Sequence, residues 1–376
     1  MSEVEGLDMT KDTGNPQLIE LIRAQIERHG PVTFEWFMEQ ALYHPQHGYY
    51  TSGRAQIGRR GDFFTNVTVG AVFGELLARQ FHEMWEALGR LEPFTIVEQG
   101  AHNGDFAVDV LRFISRRMPD FAAALRYCIV EPFPAPRCSI DCRVRWCASL
   151  DELDPFSGVH FSNELLDAMP VHLVRRNAAG WHERYVAIEN EQFVFVDGAP
   201  TLPAASLPDV PPPYETEINS RTSDWISPIA QKLTHGYVLA VDYGYPRAEY
   251  YAPHRSAGTL RCYAQHHVID SPLSHVGEAD ITAHVDWTSV AEHAVANGFQ
   301  LTGFTDQHHF LTGLVSAFPE DELGDLNRNQ LQTLLQPTML GSTFQFLVLS
   351  KNAPVKLTGL KFARDPQIAL GLRNGC

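Results

Sequence analysis

The chain has 376 residues, 44% of them hydrophobic and 20% charged, a balance typical of a globular protein with a sizeable core. With 45 acidic and 29 basic residues, its net charge of -16 disfavours nucleic acid as a partner and suits a cationic or neutral substrate. No segment approaches the roughly 18 uninterrupted apolar residues of a membrane helix, and the first 15 residues lack the apolar stretch of a secretion signal. We therefore expect a cytoplasmic protein with no membrane insertion and a disordered tail over residues 1–15.

Residues 16–92 are predicted to form a helical N-terminal region. Apolar residues at helical spacing predict a helix over residues 17–29, and Thr33 is suited to cap a second helix. A long amphipathic helix is predicted from about Val69 to Leu88. The stretch before it, residues 48–65, is rich in glycine and aromatic residues, and we expect it to form a loop that covers a cofactor or substrate.

From Phe94 onward the pattern changes to alternating strands and helices. Strands that are apolar throughout, with helices between them, predict a parallel sheet covered on both faces. Helices are predicted over residues 106–117 and 288–297. The predicted strands cover residues 95–97, 127–130, 159–161, 237–241 and 344–349.

One elaborated α/β domain is favoured over two independent ones. Its core spans residues 93–351, with insertions at about 174–227 and 246–285, and residues 352–376 form a C-terminal tail. The first insertion contains an alternating pattern over residues 181–196 that predicts a β-hairpin.

The segment after the first core strand has the character of a cofactor loop. That strand ends in Glu98, Gly100 permits a sharp turn, and Gly104 lets backbone approach a ligand closely. A nicotinamide dinucleotide site needs G-x-G-x-x-G, but His102 stands at the middle position, and Asp105 would repel a pyrophosphate. S-adenosylmethionine (SAM) has no phosphate, and carboxylates favour its sulfonium and ammonium groups. Asp105 equally fits an ordinary first-turn residue that complements the helix dipole.

A second acid strengthens the interpretation as a cofactor site. Glu131 ends the next strand, where its carboxylate is suited to accept hydrogen bonds from both ribose hydroxyls of a nucleoside. Taken separately, Glu98 and Glu131 are each compatible with a solvent-facing strand end. Together with Gly100, His102 and Gly104 of the loop, they indicate SAM binding outside the carboxyl ends of the strands, and we expect all five residues to contact the cofactor.

Several longer motifs carry a family resemblance that extends from about Gly30 to Lys351. They comprise residues 43–45 (YHP), 48–50 (GYY), 61–65 (GDFFT), 163–171 (NELLDAMPV), 242–245 (DYGY), 258–263 (GTLRCY) and 277–286 (GEADITAHVD).

With these motifs the chain resembles the MidA-like family of SAM-dependent methyltransferases, which is related to a mitochondrial protein arginine methyltransferase of respiratory complex I assembly. The resemblance implies a class I SAM-methyltransferase (Rossmann-like) sheet flanked by helices, with inserted hairpin and helical segments. Two positions depart from the family pattern: His102 replaces the middle glycine of the cofactor loop, and Asn66-Val67-Thr68 replaces a small residue followed by Pro and Glu.

The resemblance also implies roles for individual residues. If the substrate is arginine, carboxylates must orient its protonated guanidinium, and we expect Glu164 to be the main clamp and Asp167 a second contact. Asn163 is expected to bond the amino-acid part of SAM, and Asp62 to touch SAM or substrate. Asp167 is also compatible with a capping role in the turn before Pro170, and Asp62 with a plain turn. Asp242 to Gly244 are expected to line the substrate cleft.

No metal site is predicted. Cys138, Cys142 and Cys147 lack the usual paired spacing, and the His266-His267 and His308-His309 pairs lack a third ligand at sensible spacing.

The expected partner is a protein substrate, with a respiratory-complex subunit as the candidate. The sequence leaves three alternative functions open: a non-catalytic assembly factor that binds SAM or nothing, a small-molecule methyltransferase and, least favoured, a nicotinamide dehydrogenase.

Overall fold

The computed structural model describes residues 13–53, 66–133, 144–264, 267–319 and 325–372. The helices within these ranges are α1 (Pro16–His29), α2 (Phe34–Tyr43), α3 (Asn66–Val69), α4 (Val72–Ala87), α5 (Asp105–Arg117), α6 (Pro119–Ala124), α7 (Thr222–Lys232), α8 (Arg247–Tyr250), α9 (Trp287–Ala296), α10 (Gln307–Val315), α11 (Arg328–Leu335) and α12 (Pro366–Ala369).

The strands within the same ranges are β1 (Val32–Thr33), β2 (Phe94–Gln99), β3 (Leu125–Val130), β4 (Val144–Cys147), β5 (Phe156–Asn163), β6 (His172–Asn177), β7 (Gly180–Glu189), β8 (Gln192–Gly198), β9 (Tyr214–Ile218), β10 (Leu233–Tyr245), β11 (Arg261–Ala264), β12 (His267–Val268), β13 (Asp280–Thr282), β14 (Val285–Asp286), β15 (Gln300–Asp306) and β16 (Phe344–Lys351).

The chain forms two compact units, each built from separate segments. The first contains the described N-terminal residues up to 53, residues 168–219 and residues 251–283, and the second contains the rest. Most of the two expected insertions therefore belongs to the first unit. Within the described residues, every helix falls short of the length and apolar character that crossing a bilayer requires.

The first unit contains an antiparallel sheet in the order β1-β7-β6-β9, with β8 paired to β7. The hairpin predicted over residues 181–196 is confirmed as β7 and β8. Asn190 and Glu191 both have positive φ angles, 49° and 62°, which match the twist of a two-residue hairpin turn. Helix α2 packs its aromatic side chains on the hairpin, with Phe37 and Phe193 ring centroids 5.6 Å apart.

The second unit contains the main sheet, in the order β15-β16-β10-β5-β2-β3-β4. The five strands from β10 to β4 are parallel, and β16 runs antiparallel to both β10 and β15. The predicted α/β fold with a parallel sheet is confirmed. Chain order reverses between β2 and β5, and such a switch point opens a crevice at the carboxyl ends of the strands.

The core of the second unit packs aromatic side chains between the sheet and helices α4 and α5. Phe161 of β5 is fully buried and stacks on Phe106 at 4.5 Å between ring centroids, while Phe81 meets its edge at 5.8 Å. Each buried ring of this kind stabilises the fold by about 1.5–3 kcal/mol. This packing fixes β2 and β5 side by side, and with them the loops at their carboxyl ends.

The long helix predicted from about Val69 to Leu88 is wrong at its start. Gly70 separates α3 from α4 with a φ of 138°, a backbone conformation that glycine adopts without strain. A Cβ on Gly70 would also lie 2.2 Å from Nε2 of Gln330. The break therefore serves the packing of α11, which the sequence around residue 70 does not reveal.

The strands at both edges of the main sheet, β4 and β15, were not predicted from the sequence. β4 is four residues long and only partly buried, and β15 mixes polar and apolar residues, so neither has the continuous apolar run of the central strands. The expected C-terminal tail packs on the second unit, where Leu357 and Leu370 are buried and the Thr358 backbone N–H donates to Glu83.

Candidate functional site

The predicted cofactor loop joins β2 to α5 and contains two glycines in left-handed conformations. Gly100 has a φ of 78°, and a Cβ there would lie 2.9 Å from Cδ1 of Leu165. Gly104 has a φ of 86° and immediately precedes α5. The N–H of Gly100 donates to the carbonyl of Val130 at 3.1 Å. Both glycines are thus required by backbone conformation, and Gly100 also by the close approach of Leu165.

His102 has a left-handed backbone conformation. A glycine, which the family pattern has at this position, would adopt that conformation without strain. Its φ is 50°, a region that costs a non-glycine residue roughly 1 kcal/mol. Its backbone N–H donates to Oε2 of Glu131 at 3.0 Å. Burial lowers the pKa of the imidazole, and Nδ1 has no hydrogen-bond partner among the described residues. The loop therefore keeps the backbone geometry that the glycine position requires.

Glu131 follows β3 and bonds this loop from the neighbouring strand. Its Oε1 accepts the Phe133 N–H at 3.3 Å, and its Oε2 accepts the N–H of His102. Burial raises the pKa of Glu131, although both N–H donors oppose that effect. Each carboxylate oxygen has a second lone pair. The group is therefore suited to the predicted role of accepting from ribose hydroxyls, which stays a prediction.

Glu98 lies within β2 and is only 4% exposed. Its Oε2 accepts the hydroxyl proton of Tyr127 on β3 at 2.6 Å. Burial raises the pKa of Glu98 to about 8 despite that hydrogen bond. In the structure Glu98 thus ties β2 to β3 beneath the loop, and its predicted cofactor contact stays a prediction. Tyr127, which the sequence showed only as part of an apolar run, was missed.

Asp242 of β10 organises the segment that follows β5. Its Oδ2 accepts backbone N–H groups from Leu165 at 3.1 Å, Leu166 at 2.8 Å and Asp167 at 3.3 Å. Its Oδ1 accepts the N–H of Tyr243 at 2.8 Å. Burial raises the pKa of Asp242 to about 7, although hydrogen bonds from the four backbone N–H groups act to lower it. The sequence suggested a cleft-lining role for this acid, whereas in the structure it is buried and holds the loop after β5 through its backbone.

Glu164 is the first residue after β5, and its backbone is held in a left-handed conformation. Its φ is 52°, and its N–H donates to the Val241 carbonyl at 3.0 Å. Oε1 of Glu164 accepts from Nδ2 of Asn163 at 2.7 Å. Oδ1 of Asn163 in turn accepts from Nδ2 of Asn66 at 3.3 Å. Asn66, a departure from the family pattern, thus touches the predicted site, a contact that nothing in the sequence indicated.

Asp167 lies at the end of the same segment and is 7% exposed. Its N–H is one of the three held by Asp242, so Asp167 and Glu164 lie in the loop that directly follows Asn163 at the end of β5. Asp62 lies outside the described residues, as do Cys138, Cys142 and His266. Within the described part of the chain no three His, Cys, Asp or Glu side chains form a group able to hold a metal.

The start of α5 does not resemble a pyrophosphate site. Asn103 donates through Nδ2 to Oδ2 of Asp105 at 3.0 Å, and the N–H of Asp105 donates to Oδ1 of Asn103 at 3.1 Å. A carboxylate therefore occupies the helix terminus that would otherwise attract phosphate. The glycine loop, the acid after β3 and the polar chain after β5 fit a cationic nucleoside cofactor. Together with the sheet order, they define a class I SAM-dependent methyltransferase.

Comparison with known proteins gives the same class. Residues 76–305 match a family described as S-adenosyl-L-methionine-dependent methyltransferase, and the chain belongs to that family. A protein from Burkholderia thailandensis, solved with S-adenosylhomocysteine (SAH) bound, superposes with a TM-score of 0.83 at 29% identity. The alignment covers 94% of this chain and 99% of that one.

Curated relatives match at lower identity. The Drosophila melanogaster protein named protein arginine methyltransferase NDUFAF7 homolog, mitochondrial, is 26% identical, over 90% of this chain and 86% of its own. The Homo sapiens protein arginine methyltransferase NDUFAF7, mitochondrial, is 25% identical, over 91% and 84% respectively. The predicted family and cofactor are thereby confirmed: this is a SAM-dependent methyltransferase.

Proposed function

We propose that this methyltransferase methylates a protein substrate on arginine, with Glu164 as the residue that orients the guanidinium. The observation that carries the proposal is the position of Glu164, directly after the central strand β5 at the switch point of the sheet. Its φ of 52° is unusual for a residue other than glycine. Strained backbone of this kind is found preferentially at functional sites. The names of the relatives, which are protein arginine methyltransferases, support the same substrate class.

The chemistry asks for orientation and for removal of one proton. The cofactor supplies an electrophilic methyl group on its sulfonium. An arginine side chain stays protonated in water, with a pKa above about 12. Glu164 would accept two guanidinium N–H groups and align the third nitrogen with the methyl group. That nitrogen would displace SAH, so that the N–C bond forms as the methyl–sulfur bond breaks, and it would lose its proton to a carboxylate or to water.

The neighbours of Glu164 support this role. Asn163 donates to Oε1, which fixes the carboxylate in one orientation. Asp242 holds the backbone of the next three residues, including Asp167, which is proposed as a second guanidinium contact. The net charge of -16 favours a cationic segment of a partner protein. We further propose a cytoplasmic location and a respiratory-complex subunit as the candidate substrate.

The test is to incubate the protein with SAM labelled in its methyl group and with lysate from the host cell. The labelled band is then hydrolysed to amino acids, and methylarginine is the expected product. Label on lysine, or label confined to the small-molecule fraction, would overturn arginine specificity. SAH binding without any labelled product would favour the non-catalytic assembly factor.

A further inference from the structure

Asn66 carries a buried polar atom that the protein leaves without a partner. The residue is 0% exposed, and its Oδ1 accepts no hydrogen bond from the described residues. A buried carbonyl oxygen without a donor is destabilising, and native structures rarely keep one without a reason. The other half of the same amide is bonded, since Nδ2 donates to Oδ1 of Asn163. The unpartnered atom therefore lies next to the predicted cofactor contact.

The orientation of the two amides follows from Glu164. A carboxylate only accepts hydrogen bonds, so Asn163 must turn its Nδ2 toward Glu164 and its Oδ1 toward Asn66. Asn66 must then present its Nδ2 to Asn163, and its own buried Oδ1 accepts no hydrogen bond from the described residues. Reversing either amide would bring two acceptors together. The unpartnered Oδ1 of Asn66 is thus a consequence of the carboxylate of Glu164, at the other end of this row of hydrogen bonds.

The same row of hydrogen bonds, from Asn66 through Asn163 to Glu164, determines which ligand group fits. Two amides aligned toward a carboxylate reinforce one another and make the terminal Oδ1 a stronger acceptor. Asn163 ends β5 and Glu131 follows β3, on opposite sides of β2. A cofactor that places its ribose at Glu131 and reaches β5 must present a donor there. Of its two ends, the planar adenine suits an apolar surface, whereas the amino-acid end carries an ammonium group.

We propose that Asn66 Oδ1 accepts a hydrogen bond from the α-ammonium group of the cofactor, making Asn66 a further cofactor-binding residue. This rests on SAM binding and does not require arginine as the substrate.

The test uses calorimetry with two ligands: SAH and its desamino analogue, in which hydrogen replaces the α-amino group. The wild type should bind the analogue about 10- to 100-fold more weakly than SAH. Asn66→Leu, which has similar size but no acceptor, should discriminate less than about 3-fold and should bind the analogue as the wild type does. Asn329→Leu, at an exposed position on α11, serves as the matched control.

Three results would overturn the proposal. If Asn66→Leu still discriminates between the ligands as the wild type does, the ammonium is bound elsewhere. Equal weakening of both ligands would mean that Asn66 is only structural, and unchanged SAH affinity with a raised KM for an arginine peptide would assign Oδ1 to the substrate. If Asn66→Leu does not fold, Asn66→Ala with the same two ligands replaces it.

Discussion

Oε2 of Glu131 accepts the backbone N–H of His102 at 3.0 Å, so the acid after one strand of the sheet holds the loop after its neighbour. This bond uses only the backbone of His102. It explains how the loop keeps its conformation although the middle glycine of the family pattern is replaced. The side chain at position 102 therefore matters mainly through backbone strain. The carboxylate at position 131 holds the loop, and its contact with the ribose stays a prediction.

The first prediction concerns Glu131. Glu131→Gln keeps the shape of the side chain but replaces one acceptor oxygen by a donor, so SAH affinity should fall about 10- to 100-fold. Calorimetry measures the effect. Glu189→Gln, at the exposed end of β7, is the matched control and should bind SAH normally. Normal binding by Glu131→Gln would remove the carboxylate from ribose recognition.

The second prediction concerns the left-handed conformation at position 102. His102→Gly should bind SAH within about 3-fold of wild type, because glycine adopts a φ of 50° freely. His102→Val should lose about 1–2 kcal/mol of unfolding free energy, since a β-branched residue is poorly accommodated there. Urea denaturation and calorimetry give the two quantities. A loss of SAH binding in the glycine variant alone would assign the imidazole to cofactor binding.

The third prediction concerns the buried acid that anchors the loop after β5. Asp242→Asn puts an amide N–H where the carboxylate now accepts backbone donors, so the unfolding free energy should fall by about 1–3 kcal/mol. Methylation should fall with it because the loop that carries Glu164 loses its support. Denaturant unfolding measures stability, with Asp209→Asn as an exposed control. A variant as stable as wild type would contradict the anchoring role.

The fourth prediction is a pH dependence from Glu98. Its pKa is about 8 in the folded protein against 4.5 as the ordinary value, so the folded state retains a proton that the unfolded state releases. The stability due to this proton is fully present below about pH 4.5 and is lost as the pH rises to about 8. The slope in that window is at most about 1.4 kcal/mol per pH unit.

Glu98→Gln removes this titration but keeps an acceptor for Tyr127. Its melting temperature relative to wild type should therefore rise between pH 5 and 8, as followed by circular dichroism. Parallel curves for variant and wild type across this range would show that Glu98 does not hold a proton in the folded state.

The sequence predicted those features that depend on local pattern. Gly100 and Gly104 follow from the need for left-handed backbone, and Glu131 from its place at a strand end. The contacts of Asp242 with the loop after β5 and of Asn66 with Asn163 join residues 75 to 97 positions apart. Such contacts depend on the order of strands in the sheet and on the break at Gly70, and the local sequence predicts neither of them.

The edge strands of the main sheet are a second feature that the local sequence does not predict. β4 has an exposed Arg145 between partly buried neighbours, so its short sequence pattern does not predict a strand. Hydrogen bonding to β3 makes this segment a strand. The discontinuous first unit was also beyond reach, because segments far apart in sequence form one sheet there.

The catalytic role of Glu164 is tested most directly by comparing methyl transfer and cofactor binding in Glu164→Gln. Glutamine keeps an oxygen that accepts from Asn163 but loses the negative charge that orients a guanidinium. Transfer of labelled methyl groups from SAM to lysate protein should fall about 100-fold or more, while SAH affinity measured by calorimetry stays within about 3-fold of wild type. Labelling at the wild-type rate by Glu164→Gln would contradict the proposed catalytic role.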